Sequence, residues 1–159
     1  MKTLNQLIRN YTLCLQQGEI QIAYKGIQEL MGKLRADFIK KYPRYGTSNT
    51  YQGYMDMSYF SLNPTCLKDR GLKIAVVYLH EKGTFEAWLS ARNRTIATRY
   101  EFVSNNISDI INAFHDDHNQ DAIIECTLVT APDFDNQTLL MNTIELGTET
   151  FINDVTGLL

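Results

Sequence analysis

The chain has 159 residues, 44% of them hydrophobic and 21% charged, with a net charge of −3. That composition fits one globular domain around one core and excludes low-complexity and fibrous classes. No apolar run approaches the roughly 20 residues needed to span a bilayer, so no membrane partner is expected.

Cys14, Cys66 and Cys126 are an odd set without CxxC spacing. They suggest neither a disulfide framework nor a structural zinc site. Met1 to Asn10 lacks the basic-then-apolar pattern of a secretory signal, and the expected location is the cytoplasm. Charge is unevenly spread. Residues 1–45 hold eight Lys/Arg against three Asp/Glu, a balance of +5, whereas residues 105–159 hold ten acids and no base. Such asymmetry can steer a charged partner. The simpler reading is that basic N-terminal helices and an acidic C-terminal helix lie near each other and offset.

Thr3 to Gln17 reads as a helix with Leu4, Leu7, Ile8, Tyr11 and Leu15 on one face and Gly18 as its stop. Glu19 to about Tyr42 reads as a longer helix with the stripe Ile20, Ala23, Tyr24, Ile27, Leu30, Met31, Leu34 and Phe38. Pro43 and the polar run Gly46 to Thr50 end it. Tyr54 to Leu62 reads as an aromatic-rich strand. Asn63-Pro64 then resembles a cap and first helical position for a single turn. Leu72 to His80 and Thr84 to Ala91, joined by Glu81-Lys82-Gly83, read as an antiparallel hairpin. Arg92 to Val103 and Ser108 to His118 read as helices, the second carrying Ile110, Ile111 and Phe114. Ala122 to Thr130 is a strand broken by Pro132. Asp135 is the expected cap of a last helix, with Phe134 and Leu139 as its staple and Leu140, Ile144, Gly147, Phe151, Val155 and Leu158 buried.

The order ααβββααβα describes a single α+β domain over 1–159. Its four-stranded sheet is mixed or antiparallel, because it contains at least one hairpin. The oily stripes of the first, second and last helices are expected to cover that sheet. The sub-order αβββαβ is shared with the core of the restriction-endonuclease-like fold.

Several stretches carry a resemblance. They are Tyr51 to Met57 with Tyr59-Phe60, Leu72 to Val77, Phe85 to Leu89 with Arg92-Asn93, and Pro132 to Asp135 with Gly147-Thr148 before Phe151-Ile152. Together they resemble a family of small bacterial conserved hypothetical proteins classed as a domain of unknown function. The resemblance implies one domain across nearly the whole chain. It implies no activity, substrate or catalytic residue.

Four clusters could carry chemistry. Alternation along strands places Tyr54, Asp56, Ser58 and Phe60 on one face, Glu86, Trp88, Ser90 and Arg92 on another, and Glu125 with Thr127 on a third. Were these faces to coincide, Asp56, Glu86 and Glu125 would converge beside Trp88 as oxygen ligands for a hard cation. A nuclease of the restriction-endonuclease kind shows an acid, one residue, then Lys, whereas the segment here is Glu86-Ala87-Trp88. Ordinary acids on a half-solvated sheet face are the simpler account. Second, Tyr51, Tyr54, Tyr59, Phe60, Trp88 and Tyr100 could line a pocket with Asp56 and Arg92 as orienting polar groups, or simply fill the core.

Third, Lys40, Lys41 and Arg44 with Tyr42 and Tyr45 could meet phosphates and bases. The acidic net charge disfavours nucleic acid, and the same cations complement a helix dipole. Fourth, His115 and His118 have helical spacing but lack further ligands. No P-loop, dinucleotide-binding glycine pattern, GxSxG or HExxH is present, so no cofactor or metal site is expected. The favoured reading is a non-enzymatic module binding a small molecule or a protein through Tyr54, Asp56, Glu86, Trp88 and Arg92, able to self-associate as a homo-oligomer. The alternative is a divergent or degenerate nuclease-like domain that binds nucleic acid.

Overall fold

A computed structural model describes all residues, Met1–Leu159. Thr3 opens α1 (Leu4–Gln16) with a capping box. Its hydroxyl accepts from the Gln6 N–H at 3.2 Å, while the Gln6 side chain accepts from the Thr3 N–H at 2.8 Å. Gly18, at φ +81°, turns the chain into α2 (Glu19–Lys41).

Then come β1 (Met57–Leu62), the single turn α3 (Thr65–Lys68), β2 (Leu72–Leu79) and β3 (Thr84–Ala91). Next are α4 (Arg94–Arg99), a 3-10 segment at Glu101–Asp109, β4 (Ala113–Phe114), β5 (Ile124–Val129) and α5 (Gln137–Leu158). The domain is α+β. Its sheet runs β1-β2-β3-β5-β4, with every pair antiparallel. The expected hairpin is present, from Leu72 opposite Ala91 to Leu79 opposite Thr84, and Gly83 at φ +67° closes its turn.

Strand alternation divides the sheet into two unlike faces. Phe60, Leu62, Ile74, Val76, Tyr78, Phe85, Ala87, Leu89, Ile124 and Cys126 all join the main core. That core also takes Leu30, Met31, Leu34 and Phe38 from α2, and Leu140, Ile144, Phe151, Ile152 and Val155 from α5. Full burial of each such side chain stabilises the fold by about 1.5–3 kcal/mol. The opposite face carries only a small cluster of Ala75, Val77, Trp88 and Ala122, with Met57, Tyr59 and Leu79 packed against it.

The structure corrects several expectations. The sheet has five strands, not four, because a two-residue edge strand, β4, pairs outside β5. The fourth long strand also returns antiparallel to β3, so no parallel pair exists. The expected helix at 108–118 is absent. Asn112 sits at φ +60°, and the chain there runs from the 3-10 segment into β4. The helical reading of 92–103 shrinks to α4, followed by 3-10 turns.

Two caps are also different. Asn63 donates its side-chain amide to the Gly46 carbonyl at 3.0 Å and does not cap α3. Asn136, not Asp135, caps α5. Leu139 is exposed while Phe134 packs on Tyr78 and Phe85, so the expected staple does not form. The largest departure is α1, which buries no residue. Its stripe does not cover the sheet, and α2 reaches the core with the half-buried Ile27 and contributes fully buried residues only from Leu30.

Candidate functional site

Over the less covered face of the sheet lies an open cleft of about 1010 Å³. Trp88 of β3 and Ala75 of β2 lie in it, with Lys73 and Ser90 at the strand ends and Tyr51, Met57 and Tyr59 on the β1 side. Its other walls come from the start of α4, the 3-10 segment and the loop 115–123. Tyr51 is held by backbone hydrogen bonds with Tyr59 in both directions, at 2.7 and 2.9 Å, and the two rings meet at a tilt, with centroids 5.1 Å apart and planes at 42°. The Arg94 guanidinium donates to Gln120 Oε1 at 3.1 Å, tying the α4 side to the 115–123 loop.

Two buried carboxylates support this face. The Trp88 indole N–H donates to Glu86 Oε1 at 2.9 Å, which commits its polar edge and fixes the ring. Lys82 approaches the other Glu86 oxygen at 3.6 Å. Glu125, directly opposite Trp88 in the ladder, accepts from the Asp116 backbone N–H at 2.9 Å. Its second oxygen lies 2.9 Å from His115 Nδ1. Burial raises the Glu125 carboxyl above the usual range, and the Asp116 and His115 hydrogen bonds pull it back down. With Glu125 ionised, His115 donates through Nδ1; in the neutral ring Nε2, 4.0 Å from Asp117, is then the acceptor.

The sequence of a known family matches residues 4–159; that family, DUF7000, is described as a domain of unknown function. The chain belongs to the DUF7000 family. No curated protein and no solved structure matches it.

Against this geometry, the residues singled out from the DUF7000 sequence separate. Trp88 lies in the cleft and Glu86 holds it from the buried side. Glu86 and Glu125 share that face, but Asp56 does not join them. Cross-strand partners share a face, and the register sets Tyr59, Val77 and Glu86 in one row and Ser58, Tyr78 and Phe85 in the opposite one. Asp56 has the parity of Ser58 and precedes the strand. Its carboxylate caps the turn by accepting from the Tyr54 N–H at 2.9 Å, which lowers its pKa. The three-carboxylate arrangement therefore does not exist, and no three His, Cys, Asp or Glu side chains are grouped as metal ligands.

Tyr54 is 90% exposed and Arg92 is exposed; neither lines the cleft. Of the other aromatics, Phe60 and Tyr100 are core while Tyr51 and Tyr59 are cleft residues. His115 and His118 share no helix: His115 meets Glu125 at the cleft and His118 is exposed. What the sequence reading missed is Arg94 and the pairing of His115 with Glu125. Only loop geometry brings these together, and no spacing signals it.

Two other clusters lie outside the cleft. Lys40 and Arg44 are exposed, but Lys41 is paired with Glu145 at 3.2 Å and Asp37 at 3.7 Å. Tyr42 and Tyr45 stack on each other at 4.9 Å, and the Tyr42 hydroxyl donates to Glu149 at 3.0 Å. Burial and Glu149 push that phenol up to about 12. Part of the basic-aromatic stretch is thus spent on α5.

Ser58 and His80 lie 2.9 Å apart, a pairing that in an open site would suggest an activated hydroxyl. Here Ser58 is fully buried and its single proton goes to the Gln52 carbonyl at 2.6 Å. His80 Nε2 must then donate, and Gln28 donates to the same hydroxyl at 2.9 Å. Burial lowers the His80 pKa, and its ring stacks on Tyr24. The pair is a tie between α2, β1 and the end of β2.

Proposed function

We propose that this domain is a binding module whose open sheet face takes a small polar molecule with a flat ring. The observation that carries the reading is the open cleft with exposed aromatic surface at its Tyr51 and Tyr59 wall, floored by Trp88, which is only 6% exposed and is fixed by its N–H bond to Glu86. A rigid indole costs little side-chain entropy on binding. Tyr51 and Tyr59 add aromatic surface on one side. On the other side His115, oriented by Glu125, offers Nε2 to a ligand N–H or O–H. Lys73 and Arg94 supply donors for carbonyl or anionic groups. A mostly preformed cleft with a few convergent polar groups is the usual form of such a site.

Trp88 is the chain's one tryptophan, so its fluorescence reports on the cleft alone. The test is titration with a panel of free nucleosides and aromatic amino acids, read by Trp88 emission and by thermal shift. At about 100 times its dissociation constant, a ligand should stabilise the fold by about 2.7 kcal/mol. His115→Ala and Tyr59→Ala should each weaken the response, and Arg44→Ala should leave it unchanged. A panel in which nothing moves either signal, or a response equally strong in all three variants, overturns the reading.

A further inference from the structure

We propose that α1 is the interface through which two copies of this chain associate. On α1, Leu4 is 71% exposed and Leu7, Ile8 and Tyr11 are each 51–55% exposed, although they fall on one helical stripe. Ile20 and Ile22, beyond Gly18, lie on different sides of α2 and are not part of this stripe. A 13-residue helix is marginal in water on its own, and most helices owe their stability to packing of an apolar face. Nothing in this chain packs on that face, so a second molecule is its natural cover.

The chemistry of the arm favours a second copy over a lipid surface. Helices that lie on membranes are rich in Lys and Arg on the polar side. Arg9 is the only charged residue of α1, and the polar side is otherwise Asn, Gln and Thr. That sparseness also lets two arms approach without appreciable like-charge repulsion. In an isologous pair each stripe meets its own image, so one patch serves both sides.

The area agrees with a modest dimer. A fully exposed large apolar side chain presents roughly 100 Å² of apolar surface. The four stripe residues of α1, at their observed exposures, therefore leave roughly 230 Å² bare per chain. Two arms pool roughly 460 Å², the apolar share of an interface of about 800 Å², the size of a weak, concentration-dependent association.

Cys14 supplies a built-in probe, since it lies seven residues from Leu7 and so on the same stripe, and it is free and exposed in the single chain. The full chain is examined by sedimentation velocity over a micromolar concentration series, with thiol labelling of Cys14 in a Cys66→Ser background. A reversible dimer is expected, with Cys14 labelled several-fold more slowly as dimer forms. Leu7→Glu with Ile8→Glu should give a monomer with fast labelling, and its thermal midpoint should stay near that of monomeric wild type because α1 buries nothing.

Leu13→Glu, at an equally exposed leucine on the opposite side of the helix, should leave the dimer intact. The proposal is overturned by a chain that stays monomeric throughout the series. It is equally overturned by a dimer indifferent to the Leu7/Ile8 variant, by labelling that ignores concentration, or by a monomer that co-sediments with phosphatidylserine vesicles.

Discussion

Glu125 is 1% exposed, and both its oxygens are engaged, one with the Asp116 N–H and the other with His115. Desolvation is the largest influence on its carboxyl and raises the pKa despite those contacts. The folded protein therefore holds this proton more tightly than the unfolded chain. Below the ordinary value of 4.5 both states are protonated and the group is neutral in its effect. As pH rises through the folded value the carboxylate ionises in a buried place, and stability falls. Glu125→Gln keeps an acceptor for Asp116 and cannot ionise. Its melting temperature relative to wild type is expected to be higher at neutral pH and to lose that advantage below pH 4.5. Parallel melts at the two pH values check this; a constant difference would show that burial does not govern the group.

At the scale of elements, the approach to β1 depends on one backbone position. Gly53 has φ +77°, and a Cβ there would overlap the Met57 carbonyl and lie 2.8 Å from the Asp56 carboxylate. Gly53→Ala should therefore destabilise the domain by more than about 1 kcal/mol in urea unfolding. It should also disturb the Tyr51–Tyr59 bridge on the cleft wall. Gly32→Ala, in the helical interior of α2 with open space around its Cβ, should instead stabilise by about 0.5–1 kcal/mol. If both substitutions had the same sign, the strain argument would fail.

The same contrast explains what could be read in advance. The hairpin 72–91 was legible because a continuous apolar run, Ile74 to Leu79, precedes a short turn with glycine at positive φ, and the central part of α2 and α5 because their stripes are regular. Periodicity reports that a helix has an oily side, not what that side meets, and so α1 read as core. Ile110, Ile111 and Phe114 have helical spacing, yet Asn112 in the left-handed region breaks the run, and β4 is too short to show a period. Trp88 was legible by strand alternation. Asp56 stands apart because β1 begins only at Met57 and the face that carries Ser58 is opposite to that of Glu86, so the condition that the faces coincide is not met.

Across the whole molecule, the basic N-terminal and acidic C-terminal segments meet at the seam between α2 and α5. Lys41 reaches across to Glu145 at 3.2 Å, Tyr42 to Glu149 at 3.0 Å, and Lys33 to Gln137 at 2.8 Å. Glu145 is only 3% exposed, and its second oxygen has no hydrogen-bond partner. Burial raises its carboxyl while Lys41 pulls it down, and the same contact raises the Lys41 ammonium. An ion pair broken from one side leaves a poorly solvated charge, which costs more than replacing both partners. Lys41→Met should accordingly lower the melting temperature at neutral pH, where Glu145 loses its cation. The deficit should shrink below pH 4.5, where Glu145 accepts a proton and no longer needs one. Adding Glu145→Gln should recover much of the neutral-pH loss by removing the stranded charge. A deficit equal at both pH values and untouched by the second substitution would mean that the seam is held by packing of the Lys41 stem and the core beneath it, with charge contributing nothing.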